Sequence, residues 1–464
     1  MGRKPKQYSA NSQFGASKGK KDSIGAKNSL GKEVKIRQPK EIARLRGMRD
    51  ILPDEYKYWE YVINIAENIC KYYGFMKTDV PVLEQMSMYE RSSGKQSDVV
   101  TKEMYNFIDK DGDKVALRPE GTPGLVRSYI EHGLFNLPSQ PVRMLWTGNL
   151  FRRDKPQSGR YRQFTQTSVE MFGEASPAAD AQIIIIGYLI LKELGIDAQV
   201  HVNNIGDGSD RENYAKKLVD YFKDRKNRSL LSPDDKKKLL KNPLRVLDSK
   251  DENTQKALVG APQIIDNICD EVRDHFVKVL EYLDELDIPY ILDPFLVRGL
   301  DYYNRTVFEF FSADSSGNAQ SALGGGGRYD SLVEFMGGRP TPALGWALGI
   351  DRIILKLKEN DICIPVVNKP DIFLAQLGDA AKRKAMIFFE ELRTRGYQAA
   401  QNFSKDNLKL QLEQANKLDV KLTLIMGQKE IMDGTILMRD MESGMQEVFD
   451  FKKIYEELDK RLKN

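Results

Sequence analysis

Sheet-forming sequence occurs in this chain in two blocks separated by a long charged helical stretch, and that interruption constrains the fold more than any other feature. Strand-like runs at Lys114–Leu117, Val142–Leu150 and Phe164–Phe172 lie close enough in sequence for antiparallel pairing. From Ile205 to Pro289 such runs vanish, and charged helical segments with lysine runs such as Lys236-Lys237-Lys238 replace them. Sheet signals return at Phe295–Val297, Val307–Phe311 and Leu323–Gly326, before a predicted helix from Gly345 to Leu357. The first fold is therefore split in sequence. Residues 41–205 and 293–363 form one α+β core, and residues 206–292 are a helical insertion.

Before the first block, Pro53-Asp54 opens a helix whose apolar positions Trp59, Val62, Ile63, Ala66, Ile69, Cys70 and Tyr73 recur at three and four residues, up to Gly74. Phe75–Glu84 reads as a strand carrying Pro81, which places it at a sheet edge or bulge, where dimers form. A helix at Ala178–Leu194, stopped by Gly195, closes the first block. Beyond a linker at Ile364–Lys369 the chain alternates strand (Ile372–Leu377), helix (Ala380–Arg395), short strand, helix (Leu408–Leu418) and strand (Leu422–Met426). That alternation predicts a separate smaller α/β domain over 369–464 with a largely parallel sheet.

Composition excludes several classes. A chain of 464 residues is long enough for more than one core. Its longest apolar stretch, Ile183–Leu191 broken by Gly187, falls far short of the roughly 20 residues that cross a bilayer, so no membrane partner is expected. Cys70, Cys269 and Cys363 never form a CxxC pair, which points to a reducing, cytoplasmic setting without a disulfide framework. With His132, His201 and His275 equally scattered, no zinc site is expected. The net charge of +4 hides an asymmetry: Met1–Lys40 holds eleven Lys and Arg against Asp22 and Glu33, a local +9 that leaves −5 on the rest. Rich in Gly, Ser and Asn, with only Tyr8 and Phe14 aromatic, residues 1–40 read as a basic disordered tail. It has no apolar signal-peptide core, and Lys6 stands where a myristoylation site wants Ser or Thr. A salt-sensitive RNA tether and a merely solvated tail both fit it.

Five segments carry chemistry. The densest is Phe151–Glu170, where Arg152, Arg153, Arg160 and Arg162 surround a Pro-Gly loop between two strands; guanidinium forks of this kind suit a polyphosphate, although a solvated basic hairpin has the same composition. Gln166 and Glu170 fall on the strand face that also carries Phe164 and Phe172, and a carboxylate on such a face is costly unless it has a partner. Arg118-Pro119-Glu120-Gly121-Thr122-Pro123 is a turn whose acceptors could hold an ammonium group. Leu296–Glu309 sets Arg298, Asp301, Tyr302 and Tyr303 beside Gly299, and Gly324–Asp330 (GGGGRYD) lets a backbone lie flat under a bound molecule. This glycine run matches neither the Walker loop nor the dinucleotide fingerprint. Ala343–Arg352 places Arg352 early in a glycine-rich helix.

In this order and spacing, from RGMRDILP at Arg46 onward, the five segments resemble the class II histidyl-tRNA synthetases. LVRGLDYYNRTVFE and GGGGRYD resemble the two histidine signatures, FRRDKPQSGRYRQF and GWALGIDR class motifs two and three, and the region through Pro81 motif one, which in that family builds a homodimer interface. The resemblance implies an antiparallel-sheet catalytic core followed by an α/β anticodon-binding domain. It implies activation of histidine by ATP, with Mg2+ and with neither zinc nor an organic cofactor, and transfer to tRNA. It assigns Glu120, Thr122 and Gln166 to the α-amino group of histidine, Glu170 and Tyr303 to the imidazole nitrogens, and Tyr302 and Tyr329 to the pocket wall. Arg152 would take the α-phosphate, Arg160 and Arg352 the β,γ-phosphates, and Arg298 the carboxylate and α-phosphate together as the catalytic arginine. Gln157 would meet the tRNA acceptor end. Asp154-Lys155 and Asp351 depart from the family's usual Glu-Arg and Glu, which shortens reach or loses a fork.

One other class shares much of this pattern: a histidine-binding regulatory subunit of a phosphoribosyltransferase, which does not charge tRNA. Such paralogues lack the terminal domain and the arginine signature, and this sequence carries both.

Overall fold

The computed structural model describes residues 42–94, 97–313, 322–365, 369–404 and 406–462, plus the backbone of two short strands near the N-terminus, and divides into units 1–48 and 49–464. In the first unit Ala26–Lys27 pairs antiparallel with Glu33–Val34. Apart from that pair, the expectation of a disordered tail over 1–40 lies outside the described residues.

The second unit begins with α1 (Pro53–Tyr72), whose proline opens the helix where an N–H has no intrahelical partner anyway. The strand expected over Phe75–Glu84 is instead two short pieces, β1 (Met76–Lys77) and β2 (Leu83–Gln85), with Pro81 in the link between them. The two pieces join different sheets, which a single continuous strand could not do. A three-stranded antiparallel sheet is made by β2, β3 (Asn106–Ile108) and β4 (Lys114–Leu117), with β4 in the middle. The short helix α2 (Met86–Ser92) flanks it and α3 (Thr122–Glu131) packs on α2, and then β5 (Val142–Phe151) and β6 (Gln163–Phe172) form the long hairpin that carries the arginine loop.

Beyond α4 (Pro177–Glu193), the run Ala198–Asn204 is a strand, β7, that the sequence reading passed over. Its alternation is visible in hindsight: Val200 and Val202 are buried while Gln199 and His201 are only partly so. The helices α5 (Gly208–Tyr221), α6 (Arg225–Leu230), α7 (Pro233–Lys241) and α8 (Glu252–Leu258) build an apolar cluster around Tyr214, Leu218, Val246 and Leu258 that is continuous with Leu125, Trp146, Tyr302 and Tyr329 of the first fold. The last helix of the charged stretch, α9 (Asp270–Asp284), packs on α4 and buries Phe276, Val279 and Leu283 in the core of the first fold. A parallel pair of strands needs a crossover. The whole helical stretch is that crossover, because β8 (Tyr290–Leu292) returns parallel to β7.

Phe295–Val297, expected in a strand, is loop. The sheet resumes with β9 (Asn304–Ser312) and β10 (Ala322–Arg328), and the single turn α10 (Leu332–Phe335) follows. The helix expected from Gly345 is first a strand, β11 (Ala343–Gly349), and only then α11 (Ile350–Glu359). A short apolar run containing two glycines suits either period; β11 is fixed by ladders on both sides, to β6 and β10, that a helix would forgo. The eight-stranded order is β8-β7-β9-β10-β11-β6-β5-β1. Its six central strands are antiparallel, while both edge pairs are parallel. One face is covered by α1, α4, α9 and α11 over a core of Val62, Ile183, Ile186, Phe310 and Ile353.

The terminal part has a five-stranded sheet ordered β13-β12-β14-β15-β16. Its strands are β12 (Ile372–Gln376), β13 (Ala399–Gln401), β14 (Leu422–Met426), β15 (Thr435–Asp440) and β16 (Gln446–Asp450). The first three strands are parallel and the last two antiparallel, so the sheet is mixed. Helices cover both faces: α12 (Asp379–Thr394) and α15 (Ile454–Leu462) on Ile372 and Leu374, α13 (Leu408–Lys417) on Phe373 and Ala375, and α14 (Gln428–Asp433) between β14 and β15. This two-sided burial is why β12 and β14 read as unbroken apolar runs.

Candidate active site

Two buried carboxylates stand on the sheet face opposite the helical layer. Glu170, in β6, is 1% exposed. Its Oε1 accepts from the Thr122 hydroxyl at 2.6 Å, and its Oε2 accepts from the Tyr329 hydroxyl. Burial pushes its pKa up to about 8, with the nearby charge of Glu120 adding to the rise and the hydrogen bonds from Thr122 and Tyr329 opposing it. Glu120, in the turn before α3, accepts from Ser93 Oγ at 2.5 Å and from the Tyr302 hydroxyl at 3.0 Å. Burial raises it above the usual carboxylate range, against the pull of Ser93, Arg152 and Tyr302.

Three tyrosines wall this pocket. Tyr302 and Tyr329 meet edge-on at 5.6 Å, Tyr303 and Tyr329 at 6.3 Å, and all three rings are buried. Glycines make the close approach possible. A Cβ at Gly345 would be driven into the Glu170 carboxylate, and one at Gly326 into the Gly345 carbonyl. The four-glycine strand β10 thus presses against β11, and β11 leaves room for Glu170. Gln166 lies half-buried on β6, opposite Gly148 and Gly349.

The arginines lie alongside. Arg152 donates from Nε to the carbonyl of Pro119 at 2.8 Å, next to Glu120, and its guanidinium is 5.4 Å from the Phe164 ring. Arg352, in the first turn of α11, donates to the carbonyl of Ala322 at 2.6 Å. Burial lowers its pKa, and the positive charges of Arg160 and Arg152 lower it further. Arg152 and Arg160 thus both bear on Arg352, and guanidiniums gathered in this way have the chemistry that suits a polyanion. Arg160 is held by Asp154 at 3.4 Å, at the neck of a tight hairpin in which Gln157 and Arg160 exchange backbone hydrogen bonds. Gln157 is exposed in that hairpin, and no contact brings it to the carboxylates. Arg298 is ion-paired with Glu309 of β9 and lies 5.5 Å from the Tyr303 ring.

The structure also shows partners that the sequence reading did not single out. Ser93 gave no signal in an ordinary Ser-Gly loop, and Glu309 sat inside a quoted motif without a role. The short Asp351 side chain is fully used: it pairs with Arg49 at 2.6 Å and accepts from the Thr165 backbone N–H at 2.7 Å. Arg49 itself lies between the rings of Trp59 and Tyr161, at 4.8 and 4.1 Å. The hairpin strand β6 and the start of α11 are therefore joined through Asp351, with Arg49 as its ion partner. Beneath the tyrosines, Asp180 on α4 accepts from Arg328, from the Thr306 hydroxyl at 2.7 Å and lies 2.9 Å from His275 Nε2. Among the described residues the one grouping with metal-ligand chemistry is Asp207, Asp210 and Cys269. Asp207 there caps α5 and Asp210 accepts from the Cys269 N–H, so both carboxylates serve the backbone.

Residues 47–353 match the family model described as Histidyl-tRNA synthetase, and residues 362–461 match Anticodon binding domain. The chain is 39% identical over 412 residues to the histidine–tRNA ligase of Desulforamulus reducens, covering 89% of this chain and 97% of that one. It is 42% identical over 403 residues to the ligase of Thermosynechococcus vestitus, covering 86% and 92%. The crystal structure of apo S. aureus histidyl-tRNA synthetase superposes with a TM-score of 0.75 at 32% identity, covering 90% of this chain and 99% of that one.

Proposed function

The chain belongs to the histidyl-tRNA synthetase family, and on that footing we propose how its residues carry out the ATP-dependent ligation of histidine to tRNA. The observation that carries the reading is the carboxylate pair Glu120 and Glu170, buried among three tyrosines, with Arg152 beside Glu120 and Arg160 and Arg352 gathered near Arg152. Glu120, Thr122 and Gln166 hold the α-amino group. Glu170 and Tyr303 take the two imidazole nitrogens, and Tyr302 and Tyr329 close the walls. A site that bonds both ring nitrogens excludes amino acids without them, because buried polar groups would be left unpaired, a discrimination of about 10⁴–10⁵.

Arg152 holds the α-phosphate of ATP, and Arg160 and Arg352 the β,γ-phosphates. Arg298 spans the substrate carboxylate and the α-phosphate. A carboxylate oxygen attacks the α-phosphorus, the bond from that phosphorus to the bridging oxygen breaks, and pyrophosphate leaves with the electron pair. Arg298 gains interaction as charge develops. The terminal ribose 3′-hydroxyl of tRNA then attacks the carbonyl carbon, and AMP leaves. Mg2+ suits the donor chemistry beside ATP: the half-buried Glu103, whose carboxylate form Arg152 and Arg160 favour, would hold the ion together with phosphate oxygens. Bound, it would offset charge on the β,γ-phosphates.

We assign residues 41–205 and 293–363 to catalysis, 206–292 to the insertion, 369–464 to the anticodon and Gln157 to the acceptor end. A homodimer is supported by the two-residue edge strand β1, with exposed Tyr72 and Met76 at it, and by the exposed apolar side chains Leu83, Phe107 and Ile108 on the three-stranded sheet. No described helix is long and apolar enough to cross a membrane, and three separated cysteines suit the cytoplasm. The regulatory-subunit alternative has no use for a terminal anticodon domain. The test is ATP–pyrophosphate exchange across the common amino acids: histidine alone should drive it, and Glu170→Ala should abolish it. Exchange at wild-type efficiency in Glu170→Ala would refute the pocket assignment.

A further inference from the structure

Between β8 and β9 the chain runs from residue 293 to 303 without regular structure, and this loop carries Arg298, Tyr302 and Tyr303. Outside a sheet, its carbonyls must find donors elsewhere. The inserted helices supply three. Arg211, on α5, donates to the carbonyls of Tyr303 at 2.6 Å and Asp301 at 3.3 Å. Arg245, in the helical turn after α7, donates to the carbonyl of Gly299 at 3.2 Å and to Asp301 Oδ1 at 3.4 Å. Asn242 donates to the same Asp301 oxygen at 3.1 Å. The cavity left at this junction, bordered by Arg211, Asn242, Arg245, Arg298, Asp301 and Tyr303, measures only about 30 Å³, room for about one water. The loop is thus gripped by a segment that the sequence inserts into the catalytic core.

We propose that Arg245, acting with Asn242 through Asp301, is a positioning residue for histidine, so that the shape of the amino-acid pocket depends on the insertion staying docked. The inference rests on the functional reading above, in which Tyr302 and Tyr303 touch the substrate. Arg245 does not touch it. It fixes the backbone from which both tyrosines project, and Arg211 fixes the other end. Three of the four arginines assigned to ATP, Arg152, Arg160 and Arg352, lie off the gripped loop, and the fourth, Arg298, is held besides by its ion pair with Glu309 of β9. Histidine recognition should therefore suffer more than ATP recognition.

The test is steady-state ATP–pyrophosphate exchange with the full-length chain, its Arg245→Ala, Arg245→Lys and Asn242→Ala variants, and the double alanine variant. Arg245→Ala should raise KM for histidine about tenfold while KM for ATP moves less than about twofold. The double variant should fall short of the product of the single effects, because both donors act on one carboxylate. Lysine at 245 should restore part of the loss, since one ammonium reaches Asp301 or Gly299 but not both. An unchanged histidine KM in Arg245→Ala, or equal rises for histidine and ATP, would overturn the inference and leave the functional reading standing. A wild-type chain without histidine-dependent exchange would sink both. Should Arg245→Ala not fold, Arg245→Lys and Asn242→Ala carry the same comparison, and wild-type histidine KM in both refutes it.

Discussion

Glu170→Gln should make the protein less active and, at alkaline pH, more stable. The carboxylate is 1% exposed, and its pKa stands at about 8 against an ordinary 4.5, chiefly because burial penalises the charged form. In the unfolded chain it ionises near its ordinary value. Between these limits the folded state binds the extra proton, so the group's contribution is favourable below the unfolded pKa and is lost as pH rises through the folded one. At about 1.36 kcal/mol per unit, the ionisation penalty is about 1 kcal/mol at pH 5 and about 4 kcal/mol at pH 8, levelling off a little under about 5 kcal/mol at higher pH. Glutamine keeps the size without the charge. The stability of Glu170→Gln relative to wild type should therefore rise by about 2–3.5 kcal/mol between pH 5 and pH 8, whatever pH-independent packing cost the amide adds. Urea unfolding of both proteins at the two pH values measures this double difference. A relative stability that stays constant, or falls with pH, would refute the argument that the active-site carboxylate is held at a cost to the fold. In the same samples Glu170→Gln should lose histidine-dependent exchange, since an amide cannot hold imidazole as a carboxylate does.

Three further outcomes are expected. Arg298→Ala should bind histidine within a modest factor of wild type yet form adenylate about 10²–10³ more slowly in single-turnover experiments, with lysine rescuing only partly; a wild-type rate would make Arg298 structural. Removal of residues 369–464 should spare pyrophosphate exchange and weaken aminoacylation, and equal loss of both in a folded truncation would argue against that division of labour. Asp180→Ala strands the buried Arg328 guanidinium, so unfolding free energy should drop by about 3–5 kcal/mol in denaturant titration; a loss under about 1 kcal/mol would mean that Arg328 is satisfied by Asp330 and the carbonyls of Glu174 and Ser176.

What the sequence could determine by itself was set by local pattern. The runs Val142–Leu150 and Phe164–Phe172 are long enough and rich enough in apolar, aromatic and β-branched residues to read as strands, and they bracket four arginines that have no place in a core. The split of the sheet by a charged helical stretch was equally visible. So was the α/β alternation after residue 369, though not the antiparallel pair β15 and β16 that makes its sheet mixed. Short elements were not legible. Phe75–Glu84 divides between two sheets, β7 went unread, and Gly345–Gly349 is strand where glycine and apolar residues admit either period. Only tertiary structure could decide the rest, because the deciding contacts span the chain. Thr122 and Tyr329 reach Glu170 from 48 and 159 residues away, and Tyr302 reaches Glu120 from 182. A carboxylate's pKa is a property of the dielectric and the donors around it. No window of sequence contains those surroundings; they exist only once β6, β10, the turn before α3 and the loop gripped by the insertion have closed on one another.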